Sequence, residues 1–243
     1  MAAGLFNHIG KIMKKTYTYA KIIKKIKSLY SRRNVEGMAR YGIDVKNAYG
    51  VPIPVLRKMA KETGKNHALA LRLWESVIHE ARLLAGFIDE PAMVDEVQAE
   101  KWAAEFDSWD LCDQCCGNLF DRTAFAEKKA AEWPHRGEEF VKRAGFVLMA
   151  ALAVHDKNAG DELFLGFLPV IIAASSDDRN YVRKSVNWAL RQIGKRNAPL
   201  NRAAIKTAMK IRENGSKSAR WIASDALREL NSPAVKKRLK AKS

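Results

Sequence analysis

The residues best suited to chemistry lie in the run Phe106-Asp107-Ser108-Trp109-Asp110-Leu111-Cys112-Asp113-Gln114-Cys115-Cys116. Residues four apart share a face of a helix. Trp109 and Asp113 therefore point the same way, with Asp110 one turn before Asp113. A second set lies further on. Trp188 is one turn from Lys184 and one turn from Arg191, and Lys142 precedes Arg143. Together they suit a groove in which Lys and Arg hold phosphates and aromatic rings contact sugar or base. One carboxylate would then stabilise positive charge on a reacting sugar. The competing reading is core tryptophans and solvated charges, and spacing alone favours it for a helical tryptophan.

Other chemistries find less support. The three cysteines, Cys112, Cys115 and Cys116, form C-x-x-C-C without a second cysteine pair. The five histidines (His8, His67, His79, His135, His155) show no ligand spacing around them. Small buried residues on a helix is the reading preferred to a metal site, and an odd, clustered set points to a reducing compartment. No phosphate-binding glycine loop, H-E-x-x-H or G-x-S-x-G is present.

The elements that must carry these residues read as helix after helix. Ala20, Ile23, Ile26 and Tyr30 give Tyr17 to Tyr30 a helical stripe. A short helix over Val35–Tyr41 follows, then a loop over Gly42–Pro54, then a helix over Val55–Thr63 with Pro54 in its first turn. Asn66–Gly86 reads as one long helix with Leu69, Leu73, Trp74, Val77, Ile78, Ala81 and Leu84 facing inward. Helices are then expected over 91–106, 109–121, 123–133, 138–154, 161–174, 177–195, 200–213, 216–230 and 233–240. The segments beginning at Arg143, Arg183 and Arg220 each continue as a largely apolar helix, at spacings of about 40 residues, the period of HEAT-type repeats. The expected fold is all-α, an α-solenoid of HEAT-like repeats with a concave basic surface.

The 243 residues carry a formal charge of +16, and 47% are apolar. That is enough to bury a core, and the charge asks for a polyanion, nucleic acid before acidic membrane. Charge is uneven: Met1 to Val35 holds no acid, whereas Asp89 to Asp113 is acidic. Met1 to Lys15 reads as a basic N-terminal arm, and residues 16–243 as a single repeat domain. No apolar run approaches the roughly 20 residues of a membrane span.

The chain resembles the DNA alkylation repair family of HEAT-like repeat proteins, the AlkD-type DNA glycosylases. The resemblance runs from about Tyr19 to Arg228. It is carried by Met38-Ala39-Arg40-Tyr41, Tyr49-Gly50-Val51-Pro52-Ile53-Pro54-Val55-Leu56-Arg57, Leu73-Trp74-Glu75 through Glu80-Ala81-Arg82, Ser108-Trp109-Asp110-Leu111-Cys112-Asp113, Lys142-Arg143-Ala144 and Val182-Arg183-Lys184-Ser185-Val186-Asn187-Trp188-Ala189-Leu190-Arg191. Ser108 stands where family members often carry a further aromatic.

The resemblance implies a monofunctional DNA glycosylase. It would hydrolyse the N-glycosidic bond of N3- and N7-alkylated, cationic purines in duplex DNA, without metal or cofactor and without flipping the base into a pocket. Asp113 would be the catalytic carboxylate, Trp109 and Trp188 would flank the deoxyribose, and Arg143 would hold phosphate. Tyr41, Arg57, Lys142, Lys184 and Arg191 would lie along the DNA. The implied partner is duplex DNA bearing alkylated bases, bound by a monomer in a bacterial or archaeal cytoplasm. The alternative is a non-catalytic repeat protein that binds distorted or branched DNA.

Overall fold

The computed structural model describes residues 17–241, so the basic arm Met1–Lys15 lies outside the described residues. Among the described residues there are fourteen α-helices, four short 3₁₀ turns and no strand.

Helix α1 (Tyr19–Ser28) starts at Thr18, whose side chain accepts from the Lys21 amide. It buries Ile22 and Ile26, with Ile23 half-buried; Ala20 is exposed and Tyr30 is 58% exposed. The expected stripe through Ala20 and Tyr30 is therefore displaced by a fraction of a turn, because packing on the next layer selects the two isoleucines four apart. Helix α2 (Arg32–Arg40) has no fully buried residue. Helix α3 (Ile53–Thr63) carries Pro54 in its first turn, where a missing N–H costs nothing, and ends at Gly64.

The single long helix expected over 66–86 is two helices, α4 (His67–Trp74) and α5 (His79–Ile88). The break falls at Val77, which adopts φ 59° and is 46% exposed rather than inward-facing. A β-branched residue in that region is strained. The surroundings over-determine it. The Trp74 ring stacks on Trp102 at 3.9 Å and its Nε1 donates to Glu105. The Trp74 carbonyl accepts the Val77 amide at 3.2 Å in a tightened last turn and also accepts from Arg82 Nε at 3.3 Å.

After a 3₁₀ turn at Pro91–Met93, Asp95 caps α6 (Glu96–Ala104). Then come α7 (Trp109–Asn118), α8 (Ala126–Glu132), α9 (Glu139–His155) and α10 (Asp161–Ala173). Last are α11 (Asn180–Gly194), α12 (Ala198–Glu213), α13 (Lys217–Leu230) and α14 (Pro233–Lys240). Helix α11 begins three residues later than expected. Asp177 binds Arg179 and Lys142 with its carboxylate instead of opening the helix.

Helices α3, α5, α7, α9, α11 and α13 are successive neighbours and form one layer. Helices α4, α8, α10 and α12 back onto it, with α10 against α12. The three arginine-led segments fall in α9, α11 and α13, which pack side by side. This is an α-solenoid of HEAT-like repeats, and its core runs unbroken from Ile22 to Leu230.

Candidate functional site

Helix α7 is held between α5 and α9 by its small residues. On α9, Phe140 and Ala144 are four apart, and their carbonyls face Cys112 Sγ at 3.6 Å and Cys116 Sγ at 3.9 Å. On the other side, Gly86 of α5 packs against Cys115, and a Cβ at 86 would sit in ordinary van der Waals contact with it, 3.6 Å from its Cα. Burial pushes the Cys115 and Cys116 thiols well up, so they stay protonated and act as small apolar residues. This register sets Asp113, one residue after Cys112, beside Arg143, one residue before Ala144.

The contact is bidentate. Arg143 Nε donates to Asp113 Oδ1 and Nη2 to Oδ2, each at 2.8 Å. Arg143 Nη1 donates to the Tyr181 carbonyl at 2.6 Å, which ties α9 to the first turn of α11. Arg143 is buried, and its Nε, Nη1 and Nη2 all meet protein acceptors. Asp113 keeps 15% of its side chain exposed. Each carboxylate oxygen has a second lone pair that Arg143 does not use.

Burial raises the pKa of Asp113, and the nearby Asp110 carboxylate adds to the rise; Arg143 opposes it. For Arg143 burial works against the charge, but Asp113 outweighs it and the pKa rises.

A loop from the N-terminal helices completes the site. Trp109 Nε1 donates to the Tyr41 carbonyl at 3.0 Å, and the Tyr181 hydroxyl donates to the Gly42 carbonyl at 3.1 Å. Gly42 sits at φ 72°, and a Cβ there would fall 2.0 Å from the Tyr181 oxygen. The base of this loop is fixed by Glu80, a buried carboxylate that accepts the amides of Tyr49, Gly50 and Val51. Tyr41, Trp109, Asp113, Arg143, Asn180, Tyr181 and Lys184 surround a 260 Å³ pocket. Next to it, sharing Tyr41 and Trp109, is a cleft of 690 Å³.

Five of the nine residues singled out from the sequence thus meet at one place: Tyr41, Trp109, Asp113, Arg143 and Lys184. Tyr41 and Lys184 are exposed there. Trp188, one turn beyond Lys184, is half-buried against the core instead of lining the pocket. Arg57 is exposed, bonded to Gln114 at 3.0 Å and placed over the Phe87 ring. Lys142 is turned to Asp177 at 3.0 Å, and Arg191 is paired with Glu229 and, at 3.6 Å, with Asp225. Tyr181, Asn180 and the Gly42 turn escape sequence reading. Tyr181 lies three residues before Lys184, so a shared face was its one available signal; the long-range bond to Gly42 has none.

The sequence matches the DNA alkylation repair enzyme family over residues 22–230. The chain belongs to that family. No curated protein matches it in sequence. A solved structure described as "a new family of proteins related to the HEAT-like repeat DNA glycosylases with affinity for branched DNA structures" shares its fold. The two superpose with a TM-score of 0.75 at 16% identity, covering 92% of this chain and 96% of that one. Within the repeat layer, the carboxylate, the indole and the guanidinium come from α7 and α9, and from α11 comes Lys184, which has no ion-pair partner among the described residues. That arrangement can hold a fixed negative charge against an electron-poor group entering beside Trp109.

Proposed function

We propose that the protein is a monofunctional DNA glycosylase acting on N3- and N7-alkylated purines in duplex DNA. The observation that carries this reading is Asp113: buried enough to interact strongly, oriented at both oxygens by Arg143, and flanked by the Trp109 ring. Alkylation makes the base cationic and weakens its bond to C1′. As the C1′–N bond breaks, its electron pair leaves with the base, which becomes neutral, and positive charge moves onto the sugar. Asp113 stabilises that charge electrostatically and orients a water molecule. The water oxygen bonds to C1′ and its proton passes to Asp113 or to solvent. Arg143, with its nitrogens spent on Asp113 and Tyr181, is a positioning residue, and Lys184 supplies the cation for a phosphate. No amine attack is required, so the sugar is left as an intact abasic site.

The test is release of free base from duplex DNA carrying N7-methylguanine, with Asp113→Asn run beside the wild type. Wild-type release that falls by about 10²–10³ in the variant supports the reading. A second reading, binding of distorted or branched DNA without catalysis, draws on the pairing inside the site: both Asp113 oxygens are engaged by Arg143, and Trp109 Nε1 is bonded to the Tyr41 carbonyl. Absence of release from either protein, with tight binding to a four-way junction, favours that reading.

A further inference from the structure

A basic cleft of 370 Å³ lies at the edge of the repeat layer away from Asp113. Asp113, Arg143 and Lys184 sit near the starts of α7, α9 and α11. The cleft takes Val154 from the last turn of α9, Gln192 and Lys195 from the end of α11, and Arg238 from α14. Helices α11 and α13 run side by side in the same direction, since Arg183 lies over Trp221 near their starts and Lys195 pairs with Glu229 near their ends. Lys184, Trp188, Arg191 and Lys195 are spaced by four, three and four residues, so they share one face of α11. That face runs from the Asp113 pocket to the cleft, about 16 Å at a rise of about 1.5 Å per residue.

The lining of the cleft holds four cations, Lys157, Lys195, Arg196 and Arg238, and no acid. Two of them are built in. Arg196 donates to the carbonyls of Ala153, Asp156 and Ala159 and lies over the Phe164 ring at 4.4 Å, which fixes the loop that carries Lys157. Lys195 pairs with Glu229 at 2.5 Å, a carboxylate it shares with Arg191. The other two, Lys157 and Arg238, are exposed, and neither meets an acid among the described residues. The half-buried side-chain amide of Gln192 stands beside them without a hydrogen-bond partner among the described residues. Cations at the ends of α9 and α11 also suit the helix dipoles. That accounts for Lys157 and Arg196, whose N–H groups meet carbonyls there. It gives no reason for Arg238 of α14 to close on the same recess.

We infer that this cleft holds a backbone phosphate of the DNA strand opposite the one at Asp113. The inference rests on duplex DNA as the partner and not on base release. Lysine and arginine N–H groups together with a neutral amide donor are the groups that hold a phosphodiester. The two backbones of B-form DNA border a major groove about 12 Å wide. The separation of Lys184 from the cleft is therefore of the size that takes one strand at each end, once the side chains reach inward. A duplex laid across α9 and α11 sets one strand on Lys184, with its sugar at Asp113, and the other on Lys157 and Arg238. The contact is to backbone alone, so it carries no sequence preference. It limits how far the duplex can roll about its axis while the sugar stays at Asp113.

Binding measurements separate a strand phosphate from a free anion. Measure the affinity of the full chain for a short duplex, and for one of its strands alone, by fluorescence anisotropy over a series of salt concentrations. Compare the wild type with Lys157→Gln/Arg238→Gln. The charge-matched control is Lys206→Gln/Lys210→Gln, at exposed positions of α12 in the backing row. In parallel, titrate each protein with inorganic phosphate by calorimetry. All four substitutions fall at exposed positions, and equal unfolding temperatures check the fold. The expected result is a duplex affinity about tenfold lower in the cleft variant than in the control, with a salt slope shallower by about 0.9 for each phosphate lost, and a smaller loss for the single strand. Cleft and control variants with the same duplex affinity and slope overturn the inference. So does an equal loss for duplex and single strand, which places the cleft on the strand already held at Lys184. Saturable phosphate binding that the cleft variant loses while its duplex affinity holds also overturns it, and reassigns the cleft to a free anion. A wild type that binds no DNA removes the partner itself. DNA binding with the expected losses but without base release leaves the inference standing and removes only the glycosylase reading.

Discussion

At the scale of single residues, the Asp113–Arg143 pair decides what the site can do. An ordinary aspartate titrates near 4; burial and Asp110 hold Asp113 above its usual value while Arg143 pulls it down. Only the carboxylate form stabilises a cationic sugar. The activity should therefore fall as pH drops through a pKa above that of a free aspartate, seen as the acid limb of kcat/KM. Removing Arg143 removes the one influence that lowers this pKa. Arg143→Gln is expected to move the acid limb to higher pH, and Arg143→Lys to move it less. An acid limb that stays put in both variants would show that Arg143 does not position the titrating group. That Trp109 and Asp113 share a face was legible from their four-residue spacing. Spacing alone favours a core role, and the family resemblance is what marks them as candidates. Arg143 and Tyr41 stand out through that same resemblance, but the contacts that fix the pair, and Tyr181 and the Gly42 turn altogether, were not legible, because they join distant parts of the chain.

At the scale of elements, the register of α7 against α9 places the two charges opposite each other. Cys112 and Cys116 set it by being small beside Phe140 and Ala144. Cys116→Leu adds volume to a site with no exposed surface. It should destabilise by about 1–3 kcal/mol in denaturant titration and lower base release by more than the unfolded fraction explains. The join between α9 and α11 has a pH signature. Arg179, with Lys142 assisting, lowers the Asp177 pKa to about 2. A folded-state pKa below the unfolded one adds stability that is fully present above the unfolded value, and that stability is lost as pH falls through the folded value. Asp177→Asn should thus reduce stability at pH 5 and 7 alike, and the gap from wild type should close between about pH 4 and 2. A gap that stays constant across that window would contradict the pairing. Helix identity and order were readable from hydrophobic period and from Pro54 in the first turn of α3. The break between α4 and α5 was not, because Val77 reads as one more apolar position and only the tertiary demands of Trp74 and Arg82 turn the chain there.

At the scale of the whole molecule, a +16 chain wraps its helices so that the acidic stretch before Asp113 is spent internally: Arg82 takes Glu105, and Lys129 takes Glu96 and Glu100. The excess of Lys and Arg is left for a polyanion. Duplex affinity should fall linearly in log–log form as salt rises, with a slope of about −0.9 per phosphate contacted; affinity indifferent to salt would remove DNA as the partner. Charge pointed to a polyanion, nucleic acid before acidic membrane, whereas the proposed reaction depends on one carboxylate that composition cannot single out. Its most direct test is a single-turnover measurement of 7-methylguanine released from duplex DNA, with protein in excess, for the wild type and Asp113→Asn at matched fractional binding. The expected result is release by the wild type and a rate lower by about 10²–10³ in the variant. Equal rates in the two proteins, or no release by the wild type from fully bound DNA, would contradict a catalytic role for Asp113.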